Sequence, residues 1–485
     1  MAGLRRRLVA LLDRFPAFLA SLGVVDREKG SDAFELAMPA MVTGGLRTVL
    51  RAADFFMVSV ATGGGAAVAA LELGFQYYFI PFGLALALTS GTISLVSRFT
   101  GAEEPARADL AVKVSLWVAL ALSAPITLAT WLYAEPMIAL LTGDPAVVAA
   151  GATYLRIVML SVVFRFWSMI AARALAGIGD TTTPMYVRLV TLPTNIALNA
   201  VLIFGLGPVP PMGIAGAAWG TAAANTLAGV VFLAVLLSGR WDVRLRLRGR
   251  QFDTGIAAEL VRVGLPLAGT RLSRTLGRFP FLFVLGVLGT DVVAAYAIGR
   301  RVMLLALMPA WGYATAASTL VGQRLGAGDP DEAADYGWQT LRIALVTQLV
   351  IAGAIVVAAR PVATAFGTDS VGLTVTFIRV FGLGVAGFSV ARTMRGGLRG
   401  AGDTRWPLYG AILGTYAVRL PLAALSLPAG LALTVGPVAF APGVGLGLWG
   451  VFAAITADMY VRAAVNVVRF RSGKWRAIGA AATAD

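Results

Sequence analysis

Long apolar segments recur along the whole of this 485-residue chain, and they limit what it can fold into. Each is long enough for an α-helix to cross a bilayer, which takes about 20 apolar residues. Hydrophobic residues make up 58% of the chain and charged residues 13%, whereas soluble domains have about 45–50% and about 25%. A soluble globular protein is therefore excluded. The segments predict twelve transmembrane helices, at about 33–60, 66–97, 110–134, 148–175, 184–206, 213–238, 257–289, 291–322, 338–359, 370–398, 407–431 and 445–470.

Basic residues alternate between successive connections of these helices. Lys and Arg are concentrated in the N-terminal segment and then in every second loop, such as 98–113, whereas loops such as 134–147 have none and Arg360 is a border exception. Because cytoplasmic loops carry the excess of Lys and Arg, both termini are predicted to be cytoplasmic. The net charge of +15 is then explained by topology and by contact with anionic lipid, and no nucleic acid partner is expected.

The two halves of the chain repeat each other at a spacing of about 225 residues. The matched landmarks are Gly101–Pro105 with Gly326–Pro330, Gly177–Thr181 with Gly400–Thr404, Pro39 with Pro266, and Gly213–Gly216 with Gly447–Gly450. Six helices return the chain to the same side of the membrane, so the halves are predicted to be parallel repeats.

The repeat and the loops together predict the domain organisation. The expected fold is an all-α polytopic membrane protein with two lobes of six helices each. The predicted parts are a cytoplasmic N-terminal segment 1–32, an N-lobe of helices 1–6 at 33–238, a cytoplasmic linker 239–256, a C-lobe of helices 7–12 at 257–470 and a cytoplasmic tail 471–485.

Polar side chains inside the apolar segments are candidates for function, because hydrocarbon makes them costly. Asp54 lies in the outer half of helix 1, Asn195 and Asn199 stand one turn apart on helix 5, and Thr221 in helix 6 offers a hydroxyl. A carboxylate with amide oxygens can bind a small cation or tune a proton site. Two structural explanations stay open: Asp54 only neutralises Arg51, and the Asn pair only joins neighbouring helices.

Several chemistries are excluded by residues that the chain lacks. It has no Cys and no His, which removes thiol and imidazole catalysis, haem ligation and ordinary zinc sites. It also has no Walker sequence, so the energy for any transport must come from an ion gradient. The chain is therefore predicted to be no enzyme and to need no cofactor beyond a coupling ion.

The second half of the chain has arginines in the region where the first half has an aspartate and two asparagines. The repeat places Asp54 near Phe281 and the Asn pair near Arg419–Pro421, so ion coupling is expected in the N-lobe alone. Helix 7 instead has a series of arginines, and helix 8 adds an aromatic and a methionine that suit an adaptable cavity. These substrate-cleft candidates are Arg271, Arg274, Arg278, Tyr296 and Met303.

Two explanations of the helix 7 arginines stay open. If they face a substrate cleft, they suit an anion or a phosphate, because the guanidinium group matches such groups bidentately. Otherwise they snorkel to the membrane surface, pair at an interface between lobes or cap broken helices. Simple packing is likewise the alternative for Tyr296 and Met303.

Three further acidic residues have structural explanations. Asp458 stands four residues before Arg462, the favourable order for an intrahelical ion pair. Asp180 and Asp403 each follow a glycine and precede Thr at a helix boundary, which predicts N-caps of helices 5 and 11.

Together these motifs resemble the multidrug and toxic compound extrusion (MATE) family of secondary transporters. The resemblance covers roughly residues 33–476. It is carried by the segment LVGQRLGAGD at Leu320–Asp329, the paired G-x-G-D-T turns, and the Asn195-x-x-x-Asn199 pattern before Met212–Ala218. It implies two six-helix lobes around a central cleft that opens alternately inward and outward, and export of small organic compounds or drugs in exchange for protons or sodium.

The resemblance also implies roles for particular residues. Asp54 matches the family's ion-coupling aspartate of helix 1, Asn195 matches a cation-site asparagine, and Asn199 stands where many archaeal members have a second acidic residue. These three would be the ligands if the ion is sodium. Protonation or cation binding at Asp54 would alter the bending of helix 1 at Pro39, unless that proline lies harmlessly in a first helical turn.

The remaining expectations concern partners and location. The partners implied are a small-molecule substrate and the lipid bilayer, with a monomer as the family default, in the plasma membrane of a prokaryote. The alternative function is a flippase or exporter of anionic or lipid-linked substrates of the same superfamily, which the arginines would suit.

Overall fold

The computed structural model describes residues 14–62, 65–366, 370–435 and 438–484. These ranges are helical nearly throughout. The strands among them are β1 (Leu433–Val435) and β2 (Val438–Phe440), which pair antiparallel from Leu433 opposite Phe440 to Val435 opposite Val438. The hairpin falls in the predicted loop between helices 11 and 12.

The first half of the chain supplies predicted helices 1–6. Its helices are α1 (Arg14–Ser21), α2 (Arg27–Thr62), α3 (Gly65–Gly101), α4 (Pro105–Ala139), α5 (Pro145–Leu160), α6 (Val162–Gly177), α7 (Thr182–Phe204) and α8 (Gly213–Leu237). Predicted helix 4 is broken into α5 and α6, which are bent by 48°. α1 precedes the first predicted span.

The second half supplies predicted helices 7–12, three of them broken. Its helices are α9 (Thr254–Leu276), α10 (Arg278–Leu288), α11 (Thr290–Ala306), α12 (Met308–Gly326), α13 (Pro330–Val357), α14 (Ala359–Ala365), α15 (Val371–Gly400), α16 (Arg405–Ile412), α17 (Leu420–Ala424), α18 (Gly447–Arg471) and α19 (Trp475–Ala484). Helix 7 breaks between α9 and α10, helix 8 bends by 46° before α12, and helix 11 runs from α16 through a π-helical segment, Leu413–Arg419, into α17.

The predicted all-α membrane fold with twelve spans in two halves of six is confirmed. In the described residues, seven helices are long and apolar enough to cross a membrane, or nine when each bent pair counts as one span. Helices 1, 7 and 11 fall outside that count because charges or a break interrupt their apolar stretches.

The repeated G-x-G-D-T turns use their second glycine for a backbone conformation that L-residues avoid. Gly179 has φ +94° and Gly402 has φ +80°. Glycine adopts positive φ without steric strain because it has no Cβ. The N-cap residue of α7 is Thr181, one residue later than predicted. The predicted capping hydrogen bonds of Asp180 are present, since its Oδ1 accepts from the backbone N–H groups of Thr182 (3.0 Å) and Thr183 (2.8 Å).

The predicted N-cap by Asp403 is wrong. Its Oδ2 accepts from Nε of Arg469 in α18 at 2.5 Å, and α16 begins after Thr404 without a side-chain cap. Asp403 is 3% exposed. Burial raises the pKa of its carboxyl group, although the bond to Arg469 lowers that pKa. A long-range ion pair therefore takes the place of the local cap.

The chain divides into two compact units. The N unit is Pro39–Leu265, and the C unit combines the described residues of Met1–Met38 with Pro266–Asp485. Each has its own apolar core, with Phe166 and Phe232 fully buried in the N unit. The boundaries fall inside α2, before Pro39, and inside α9, before Pro266. We call the part of each helix before its proline the first arm. The first arm of α2 therefore belongs to the C unit, and the first arm of α9 belongs to the N unit.

Polar contacts hold these two arms in place. Glu259 in the first arm of α9 pairs with Arg98, in the last turn of α3, at 3.1 Å. Asp32 in the first arm of α2 accepts from the hydroxyl of Tyr336 at 2.8 Å, and that hydroxyl also accepts from Arg324, in the last turn of α12, at 3.3 Å. Both units thus fix the entering arm with an acidic residue and an arginine.

Candidate functional site

Asp54 belongs to α2, but its side chain and that of Arg51 lie outside the described residues. Its role in coupling therefore stays a prediction. Pro39 is described: it is buried inside α2, well after the first helical turn, and Thr43 Oγ1 donates to its carbonyl oxygen at 2.9 Å. An interior proline removes a backbone hydrogen bond and favours bending, and Pro39 is also the first residue of the N unit.

The two asparagines of α7 share one buried face against α8. Asn195 is 4% exposed and Asn199 is fully buried. Asn195 Nδ2 donates to the carbonyl oxygen of Gly220 at 3.2 Å, and Asn199 Nδ2 donates to Asn195 Oδ1 at 3.5 Å. Gly220 is needed for this approach, because a Cβ there would lie 2.0 Å from Asn199 Oδ1. Thr221, the next residue, is half-buried.

A second polar cluster in the N unit was not predicted from the sequence. Asn225, one turn after Thr221 in α8, donates from Nδ2 to the hydroxyls of Ser161 (3.2 Å) and Tyr78 (3.3 Å), and its Oδ1 accepts from Arg165 at 3.4 Å. The position of Asn225 four residues after Thr221, on the same face of α8, is the sequence signal that could have identified it.

Two arginines bring positive charge into the interior of the N unit. Arg188 of α7 is 3% exposed and donates to Ser168 Oγ at 3.1 Å, with its guanidinium carbon 5.4 Å from the ring centroid of Phe232. Arg165 bonds Asn225. Among the described side chains, no carboxylate forms an ion pair with Arg165 or Arg188, and no group of three acidic residues is placed to hold a metal ion.

The helix 7 arginines do not form one continuous row on a single helix. Arg271 and Arg274 lie in α9, whereas Arg278 begins α10 after the break at Gly277. Arg274 and Arg278 are exposed, and Arg271 is half-buried. Arg274 lies within electrostatic reach of three other C-unit arginines and one carboxylate, Arg395, Arg419, Arg462 and Asp458.

The predicted pair between Asp458 and Arg462 is confirmed and extends to helix 11. Arg462 Nη2 lies 2.6 Å from Asp458 Oδ1, and the same nitrogen donates to Thr415 Oγ1 in the π-helical segment at 2.8 Å. Gly414 makes room for the pair, since a Cβ there would lie 2.6 Å from Asp458 Oδ1. Asp458 is thus already committed to Arg462.

Arg419, the last residue of the π-helical segment, is held between two aromatic side chains. Its guanidinium carbon lies 3.9 Å from the ring centroid of Phe281, and Nη2 donates to the hydroxyl of Tyr296 at 3.2 Å. Its buried Nε has no hydrogen-bond partner among the described residues. Tyr296 and Met303, each 4% exposed, belong to the apolar core of the C unit.

Comparison with known proteins identifies related sequences. The family model MatE matches residues 39–201 and 266–425. A probable multidrug resistance protein NorM of Bradyrhizobium diazoefficiens is 29% identical over 462 residues, covering 92% of this chain and 94% of that protein. Another from Thermotoga maritima is 29% identical over 326 residues, covering 66% and 67%.

Solved structures share the fold. A MATE structure in the bent conformation superposes with a TM-score of 0.83 at 22% identity, covering 94% of this chain and 97% of that one. A MOP-superfamily transporter of Pyrococcus furiosus, whose binding pocket is described as having reverse polarity that suggests a different function, gives 0.81 at 22% identity, covering 93% and 96%.

Proposed function

The chain belongs to the MATE family of multidrug efflux transporters, and we propose that it is a secondary antiporter that exports small organic compounds in exchange for protons or sodium. It works by alternating access, and Asp54 in the N unit couples the ion to the substrate. The chain is a multi-pass membrane protein; a location in a prokaryotic plasma membrane with both termini cytoplasmic, and a monomeric state, form part of the proposal.

The observation that carries the proposal is the buried Asn195–Asn199 pair of α7. Burying two amides in a membrane protein is costly unless they form hydrogen bonds. Because Gly220 has no side chain, the two amides fit against α8. Amide oxygens are hard ligands for a small cation, and amide N–H groups stabilise a carboxylate by hydrogen bonding. Either chemistry supports a coupling role beside an acidic residue such as Asp54.

Helix α2 links the proposed coupling residue to movement. Pro39 and Asp54 lie on the same helix, and Pro39 stands at the boundary between the C unit's first arm of α2 and the N unit. Because the proline weakens the helix there, a change of charge at Asp54 shifts the balance between straighter and more bent forms of α2. This couples protonation or cation binding to the shape of the N unit.

The test is efflux from proteoliposomes that contain the full chain. Ethidium efflux is measured under an imposed proton gradient and, separately, under an imposed sodium gradient. We expect the wild type to respond to one of them, which identifies the ion, and Asp54→Asn to lose the response. The matched control is Asp291→Asn, an exposed carboxylate at the start of α11, which is expected to transport as the wild type does.

Two outcomes contradict the proposal. If Asp54→Asn keeps the full gradient response, Asp54 does not couple the ion. If the wild type moves the dye at a rate that neither gradient changes, the protein is a passive pathway. For a sodium-coupled protein, Asn195→Ala is expected to raise the sodium concentration needed for half-maximal efflux, which assigns the amide as a ligand.

A further inference from the structure

The two halves of the repeat have opposite chemistry at corresponding positions. The repeat places Asp54 near Phe281 and the asparagine pair near Arg419–Pro421. In the folded C unit Phe281 and Arg419 are in contact, with the guanidinium carbon 3.9 Å from the ring centroid. The N unit is proposed to bind an exchangeable cation at these positions. At the corresponding positions the C unit has the guanidinium group of Arg419.

The π-helical segment Leu413–Arg419 sets the position of this arginine. A π-helix is rare, appears mostly as a short bulge inside an α-helix, and is frequent at functional sites. Gly277, at the break of helix 7, permits the close approach of this segment, because a Cβ on Gly277 would lie 2.1 Å from Cγ2 of Thr415. Tyr416 fixes the same segment to α9, since its hydroxyl donates to the carbonyl oxygen of Ser273 at 3.1 Å.

Arg419 is held ready for a ligand. The guanidinium group has five N–H donors in a rigid plane; stacking on Phe281 fixes that plane, and one nitrogen is bonded to Tyr296. Its buried Nε has no hydrogen-bond partner in the described part of the chain. A buried donor without a partner is costly, and an acceptor from a ligand removes that cost.

The neighbourhood has an excess of positive charge. Arg274, Arg395 and Arg462 lie within electrostatic reach of one another or of Arg419, and we call these four the arginine cluster. Asp458 is the carboxylate that the structure places among them, and it is already bonded to Arg462. Part of the Arg274 side chain lies at the surface of the C unit, which makes it the member of the cluster that an incoming anion would meet first.

We propose that the arginine cluster of the C unit binds an oxyanion group of the transported compound, a carboxylate or a phosphate, with Arg419 as the oriented donor and Arg274 as the accessible second cation. Arginine matches such groups through paired N–H bonds. Organic anions or zwitterions are then among the substrates of this protein. That the bound compound is also transported rests on the proposed export function. Binding of an anion at the cluster does not, and it is tested without transport.

The experiment measures fluorescence anisotropy of carboxyfluorescein titrated with the purified full chain in a neutral detergent. Hydrogen bonds to charged groups contribute enough for the loss of one arginine to weaken binding by about tenfold or more. We expect that loss for Arg419→Met and for Arg274→Met. Arg419→Lys keeps the charge without the planar donors and is expected to fold as the wild type does and still bind more weakly. Arg379→Met, an exposed arginine of α15, is the control with the same change of charge.

The outcomes separate the site from the export function. Equal affinity in the wild type, Arg419→Lys and Arg419→Met overturns the inference, as does absence of dye binding in a protein that exports ethidium under a gradient. Arginine-dependent dye binding without gradient-driven transport leaves the site standing and contradicts the antiporter proposal.

A lipid headgroup has the same phosphate chemistry and is tested in a separate arm. The titration is repeated in nanodiscs of phosphatidylcholine alone and of phosphatidylcholine with phosphatidylglycerol. We expect similar dye affinity in both. If phosphatidylglycerol displaces the dye completely, and the Arg419→Met substitution abolishes this displacement, the cluster is a lipid site and the assignment to a transported compound is overturned.

Discussion

Glu259→Gln removes the charge that compensates a buried arginine in the N unit. Arg98 has a side chain only 1% exposed; its Nη2 pairs with Glu259 at 3.1 Å and its Nε donates to the carbonyl oxygen of Ser94 at 3.2 Å. Glu259 also pairs with Arg262, whose side chain is 48% exposed. The substitution therefore leaves Arg98 as a buried cation without a carboxylate, while Arg262 can turn to solvent.

The magnitude follows from these exposures. Breaking a buried ion pair by removing one partner costs about 3–5 kcal/mol. Glu259 is 15% exposed, so solvent reaches part of the pair and the lower end, about 3 kcal/mol, is expected. Asp331→Asn is the matched control, because Asp331 pairs with Arg476 but is 87% exposed, and exposed pairs contribute about 0–1 kcal/mol.

The assay is equilibrium unfolding of the purified protein in mixed micelles, followed by tryptophan fluorescence. The free energy of unfolding is expected to fall by about 3 kcal/mol in Glu259→Gln and by less than about 1 kcal/mol in Asp331→Asn. The double variant Arg98→Met/Glu259→Gln is expected to be more stable than Glu259→Gln alone, since it removes the uncompensated charge. Equal losses in Glu259→Gln and Asp331→Asn would refute the reasoning.

Three further changes test the packing of the N unit and its boundary. Gly220→Ala places a Cβ 2.0 Å from Asn199 Oδ1; overpacking is expected to lower stability by about 1–3 kcal/mol and to impair gradient-driven efflux, and wild-type stability and efflux together would contradict this packing. Asp180→Ala removes the cap of α7 and is expected to lower the free energy of unfolding by about 1–2 kcal/mol, which the same titration measures; an unchanged midpoint would mean that the cap adds nothing. Pro39→Ala restores a backbone hydrogen bond in α2 and is expected to slow turnover in proteoliposomes while substrate affinity is kept; an unchanged rate would contradict a hinge there.

Features that depend on residues close together in the chain could be predicted from the sequence alone. Twelve apolar segments give twelve spans because the bilayer demands a fixed length of apolar helix. The glycines of the G-x-G-D-T turns lie in positive-φ conformations because only the local backbone decides that preference. The Asp458–Arg462 pair forms because residues four apart on a helix are neighbours wherever that helix packs.

Contacts between groups that are distant in the chain could not be predicted in this way, because they depend on how the helices pack. Asp403 had the sequence of a cap, yet it pairs with Arg469 in another helix. Likewise, no local pattern predicts that the first arms of α2 and α9 join the opposite units, or that Arg419 stacks on Phe281. Such contacts join residues far apart in the chain, so their energies depend on how whole helices pack. Local propensity and periodicity carry no information about that packing.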